Sequence, residues 1–272
     1  TTLRKSSYPW VIVLSAIFWY GIGFGLLGNT VGLFYTPVAT DGGWSMTEAT
    51  FFMTLYPIAA AITSPFAGRV FNKFNKTNVV LAVVIGLWCA LFVWSSTFTT
   101  LIEWNIYGVV AGILGGFLMY IPVPMLINNW FTKSKGIAPA SCNLIPALIN
   151  PVITAQIASL GWRPVRMYMG IGFAVVLIPL VLIIVRKNPK DKGLLAWGEG
   201  EVSEVSETAE AAPSVKTGVS VKTATKSPAF WLSLLAVACL VSCASINQRI
   251  ASLAAARDFD AVAIGMASSV IM

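Results

Sequence analysis

The sequence predicts an all-α membrane protein, and three observations carry that reading. Of its 272 residues 57% are hydrophobic and only 11% are charged, too little charge to cover the surface of a water-soluble domain. The apolar residues fall into long runs, and a helix needs about 20 such residues to cross roughly 30 Å of hydrocarbon. The stretches between the runs alternate between cation-rich and cation-poor, as loops on opposite sides of a bilayer do.

Taken in order, a window of about 19 residues yields six spans, at 10–35, 48–70, 78–98, 102–128, 136–160 and 165–185. A seventh follows at 228–245 and an eighth begins near Ala261. The first run is too long for the core of a signal peptide and offers no convincing cleavage site, so it reads as a retained span. Three units result: a six-helix transmembrane bundle at 1–185, a polar linker at 186–227, and the start of a second bundle at 228–272.

Charge sets the orientation. Arg4 and Lys5, then Arg69, Lys73 and Lys76, then Lys133 and Lys135, then Arg186 to Lys226 place fourteen of the eighteen cations in alternate loops. The opposite loops hold Arg163, Arg166, Arg249 and Arg257. Positive charge marks the cytoplasmic side, so the N-terminus is expected inside a plasma or inner membrane. The net charge of +7 is spread over separate loops without an interleaved aromatic platform, so no nucleic-acid partner is expected. Histidine is absent, and Cys89, Cys142, Cys239 and Cys243 lie in apolar segments without zinc spacing. With no paired intramembrane carboxylates and no nucleophile beside a base, neither enzyme activity nor a metal or cofactor is expected.

Small residues indicate how the helices meet. Gly108, Gly112 and Gly116 recur every four residues in the fourth span, as do Gly21, Gly25, Gly28 and Gly32 in the first. Each set makes a smooth stripe along which a second backbone can approach, and packing is the reading preferred over substrate contact. Pro57, Pro122, Pro124, Pro146, Pro151 and Pro179 lie inside spans, where a missing donor favours a bend.

"GRVFNKFNKTNVV", residues 68–80, resembles the signature loop between the second and third helices of the major facilitator superfamily. Gly68, Arg69, Lys73, Phe74 and Lys76 fit that pattern, whereas Asn72 stands where the family has an acid and Asn75 where it has glycine. "GWSMTEATFFMTLYPIAAAITSPFAGR", "NNWFTKSKGIA", "LGWRPVRMYMGIG" and "RKNPKDKGLLAWGEG" resemble, in order, segments of its oxalate/formate antiporter and monocarboxylate-porter-like branch.

The resemblance implies two six-helix halves around a central cavity, in a monomer whose partners are membrane lipids and a small organic anion. On that pattern the chain ends early in the second half, and the linker at 186–227 is expected to be disordered, its Ser, Thr and Glu offering too little apolar surface to order it. The first, second, fourth and fifth helices are implied to line the pathway, and they carry Asn29, Thr30, Tyr56, Tyr120, Asn143, Asn150 and Gln156. Such groups should point inward. Tyr56, Tyr120 and Asn150 fall near the midplane, where carriers hold substrate, with Asn29 and Asn143 extending the track. Interhelical hydrogen bonding is the alternative for each. No charged residue lies in the middle of the first six spans, and Glu48 and Glu103 fall at outer ends in solvent. Family members that handle carboxylates place the anion-binding cation in the second half. The expected function is transport of a mono- or dicarboxylate by alternating access, with a non-transporting solute sensor on the same fold as the alternative.

Gly68, Arg69, Asn72, Lys73 and Lys76 are implied to act as a gating loop, in which the family's acid braces the two halves when the carrier is open outward. An amide at Asn72 lacks that charge, worth about 0.3 to 1 kcal/mol at a facing helix N-terminus. Asn72→Asp in the full-length protein is expected to shift the population toward outward-open. Thiol probes applied from either side read the shift, and an unchanged ratio of external to cytoplasmic labelling overturns it.

Overall fold

A computed structural model describes residues 7–24, 30–74, 76–119, 121–131, 144–197 and 225–255, with isolated positions at 223, 257 and 260. Among them every element is helical, apart from an isolated bridge between Phe131 and Trp197. The all-α expectation holds, and the differences lie in where helices break and stop.

The first apolar run forms α1 (Tyr8–Phe24) and α2 (Gly32–Gly42), so it continues well beyond the expected end at Tyr35. Gly43 stops α2 at φ 66°, donating its N–H to the Ala39 and Thr40 carbonyls, a left-handed stop that glycine adopts without a Cβ clash. The second run is α3 (Met46–Thr50) and α4 (Phe52–Lys73). Next come α5 (Thr77–Trp94), prolonged by a tight turn at Ser95–Thr97, and α6 (Leu101–Leu118). Then α7 (Pro122–Trp130) starts afresh with Pro122 in its first turn, where a missing N–H costs nothing. The expected fourth span is therefore two helical segments.

Two further helices, α8 (Leu144–Leu160) and α9 (Trp162–Ile184), meet at Gly161, whose φ is 83°. Last is α10 (Pro228–Ala255). It runs past the expected end near Ser245, so the Arg249 backbone is helical and not, as expected, in an external loop. Among the described residues four stretches are long and apolar enough to cross a membrane: Met46–Lys73, Thr77–Thr97, Leu101–Trp130 and Trp162–Ile184.

Glu48 and Glu103 have a more definite task than the solvent exposure expected of them. Glu48 accepts from the Ser45 backbone at 2.9 Å and from its hydroxyl at 2.7 Å. Glu103 accepts from the Thr99 and Thr100 backbones, both at 2.8 Å. Both acids complete capping boxes that satisfy donors left over at a helix start. The strings "SMTE" and "TLIE" carry that signature.

Packing is closest between α4 and α6. A Cβ at Gly108 would run into the Phe52 carbonyl oxygen, and one at Gly112 into the Tyr56 carbonyl and Ala59. At Gly116 it would meet the Ala60 carbonyl at 3.1 Å. Helices in lipid gain little from burying apolar side chains against each other, so backbone proximity of this kind supplies the contact. A second pair, α5 and α9, meets at Gly170, where a Cβ would lie 2.9 Å from the Cys89 carbonyl. Helix α1 packs on α8, α9 and α7, while α2 packs on α10. Facing outward, Ile58, Ile62 and Phe66 on α4 and Ile102, Ile106 and Ile113 on α6 are exposed, a surface suited to lipid and hostile to water.

At one end of the bundle the chain after α9 is strapped down. Lys187 Nζ donates to the Phe71 carbonyl at 2.8 Å and to that of Asn72 at 3.4 Å, placing a cation on the C-terminal carbonyls of α4, where the helix dipole favours it. Trp130 Nε1 donates to the Arg186 carbonyl at 2.8 Å, and the Trp197 N–H to the Trp130 carbonyl at 2.8 Å. Trp10 stands edge-on to Phe131 and Trp197, and Lys192 Nζ lies 4.0 Å over the Tyr8 ring. Aromatic anchors and α4 carbonyls thus hold residues 186–197, the first part of the expected linker. Positions 198–222 lie outside the described residues.

Gly112→Ala is expected to lower stability by about 1 to 3 kcal/mol, the scale of an overpacked contact. Gly172→Ala, in α9 with nothing within 4 Å of its would-be Cβ, is expected not to lower it. Thermal unfolding in detergent compares them, and equal midpoints would refute the close α4–α6 approach.

Candidate functional site

Of the polar residues expected along a pathway, Tyr56 and Asn150 lie among the described residues, whereas Asn29, Tyr120 and Asn143 fall outside them. Tyr56 sits in the α4–α6 seam, its hydroxyl donating to Met119 Sδ at 3.0 Å. Gly115 makes room for that phenol, since a Cβ there would lie 2.5 Å from the hydroxyl oxygen. Asn150 is fully buried on α8, and its backbone carbonyl accepts from the Thr154 hydroxyl at 2.9 Å. The two thus belong to different helix pairings. Thr30 is buried and Gln156 is exposed.

The expected gating loop is mostly helix. Gly68, Arg69, Asn72 and Lys73 lie in the last turns of α4, leaving only positions 74–76 between α4 and α5. Arg69, Asn72, Lys73 and Lys76 are exposed, with Arg69 5.6 Å over the Phe66 ring. Gly25 lies outside the described residues, and the Gly21 backbone is buried in α1.

The charge that matters most was expected elsewhere. Arg166, read from sequence as a loop cation, lies in the second turn of α9 and is 1% exposed. The Gly161 turn starts that helix close to the end of α5, so Arg166 Nε donates to Ser95 Oγ at 2.7 Å. Its guanidinium carbon lies 4.1 Å from the Phe92 ring centre and 5.1 to 5.2 Å from those of Phe34, Trp104 and Tyr107. Four aromatic faces offer partial negative charge to a planar cation, worth on the order of 2 kcal/mol for a desolvated contact. No carboxylate among the described residues pairs with it.

Its neighbour Arg163 shows the contrast. Arg163 Nη2 and Nε donate to one Asp41 oxygen at 2.9 and 3.1 Å, and Nη1 donates to the Ser96 carbonyl at 3.1 Å. That partly exposed pair ties the ends of α2 and α5 to the start of α9. Arg166 has cations' usual cost of burial, several kcal/mol per ion, without an acid to offset it. Sequence reasoning missed it because a cation next to a turn looks like part of the turn, and its cage comes from α2, α5 and α6.

The family model described as Major Facilitator Superfamily matches residues 12–272. Among curated proteins, an uncharacterized MFS-type transporter, YcxA of Bacillus subtilis (strain 168), is 23% identical over 193 residues. That match covers 69% of this chain and 47% of the relative, so the chain spans about half of the relative's length. No solved structure matches the chain at a significant level. With nearly its whole length matched by the family model and its apolar helices packed through glycine seams, the chain belongs to the Major Facilitator Superfamily.

Proposed function

We propose that the protein is a secondary transporter that carries a small organic anion, a mono- or dicarboxylate, across a membrane by alternating access. Membership of the superfamily over residues 12–272 carries the reading, and the printed name of the Bacillus relative points the same way. For the anion, the support is the resemblance of several segments to the oxalate/formate and monocarboxylate branch, together with the sign of the buried charge. A pathway for an anion calls for a cation and donors, and a pathway for protons calls for a buried acid. Among the described acids, Glu48 and Glu103 are committed to helix caps and Asp41 to Arg163, while the buried charge is Arg166.

In this reading the end strapped by Lys187 and Trp197 faces the cytoplasm with the N-terminus, as the clustering of cations there supports. Asn150 and Tyr56 meet the substrate with Tyr120, and Asn29 and Asn143 extend the polar route.

Full-length protein reconstituted into vesicles preloaded with oxalate is expected to show saturable uptake of labelled oxalate or formate, driven by exchange. Absence of uptake and counterflow across a broad panel of organic acids, with solute binding intact, would overturn transport and leave a sensor on this fold.

A further inference from the structure

We propose that Arg166 and Trp104 form a carboxylate-binding subsite near the Arg163 end of the bundle, closed in this conformation by α2. This rests on the organic-anion reading above and places an anion site in the half of the molecule built from α1 to α9.

Two donors with no acceptor share one crevice. Arg166 Nη2 and Trp104 Nε1 are both buried without a hydrogen-bond partner, and both residues line a crevice whose other walls include Val31, Phe34, Tyr35 and Phe52. Arginine keeps its charge and presents five N–H groups in a rigid fork. Here Ser95 takes Nε, the Tyr107 side chain hydrogen-bonds the guanidinium, and Nη2 is left without an acceptor. A buried donor left unmade costs about 1 to 3 kcal/mol, more when charged. Only an acceptor removes that cost, and a carboxylate offers one oxygen to Nη2 and a second to Trp104 Nε1.

The crevice is too narrow to admit a water molecule. A ligand therefore enters only when a wall moves, and in this proposal that wall is α2. With its N-cap Val31 it contributes Phe34 and Tyr35, it packs on α10, and the Asp41–Arg163 pair that ties it to α9 has to part for it to move. Displacing α2 with α10 exposes the donors, and its return dehydrates the ion pair, which strengthens the attraction in a medium of lower dielectric.

Purified full-length protein titrated at constant ionic strength with sodium acetate, sodium oxalate and sodium chloride, followed by tryptophan fluorescence, tests the subsite. Saturation by acetate or oxalate is expected for the wild type and for R163Q. Half-saturation is expected to rise roughly tenfold or more in R166Q, the scale of a lost charge-assisted hydrogen bond. If R166Q does not fold, R166K decides: it keeps the charge but loses the fork, so oxalate affinity is expected to fall about threefold or more. No saturable response, saturation by chloride alone, or affinity unchanged in the folded variants overturns the subsite. Carboxylate binding without exchange in vesicles sinks the carrier reading and keeps the subsite. Exchange whose KM is unmoved by R166Q and R166K keeps the carrier and sinks the subsite.

Discussion

The bundle depends on one constraint: helices surrounded by lipid cannot be held together by hiding apolar side chains, because the alternative surroundings are equally apolar. Contact has to come from close backbone approach, and that requires residues without side chains at the crossing. Gly108, Gly112 and Gly116 meet that requirement where α6 lies on the Phe52, Tyr56 and Ala60 carbonyls. Gly170 does the same for α9 against α5. Large residues are then free to face outward, which is where Ile58, Ile62, Ile102 and Ile106 are found.

Given that frame, most charges near the bundle do local structural work. Glu48 and Glu103 close helix starts, Lys187 covers the carbonyl end of α4, and Asp41 with Arg163 joins three helix ends. Each is placed where water or unpaired backbone groups make a charge inexpensive. Arg166 departs from the pattern. It is drawn into the bundle, held by aromatic faces and a serine hydroxyl, and left with a donor facing no acceptor. In a membrane bundle an inward ionisable group of this kind points to function before it points to stability.

Much of the architecture was legible in the residues. Composition and run length announced a helical membrane protein, and the glycine spacing marked the face of α6 that meets α4. The breaks were harder. A single apolar run from Tyr8 to Gly42 becomes two helices, and the run from Leu101 to Trp130 is divided before Pro122, since hydropathy averages over a window and does not register local backbone geometry. The stretch at 186–197 is polar in composition, and its placement comes from Trp197 and Lys187 meeting partners far away in sequence.

The sequence by itself determined that this chain lives in lipid as helices and which helix faces are smooth, because those properties follow from local composition and the 3.6-residue period. Only the tertiary structure decided that Arg166 is an interior cation. Its environment is assembled from Phe34, Phe92, Ser95, Trp104 and Tyr107, residues scattered over three other segments. Burial of a charge is a property of what folds around it, and no pattern along the chain encodes that locally.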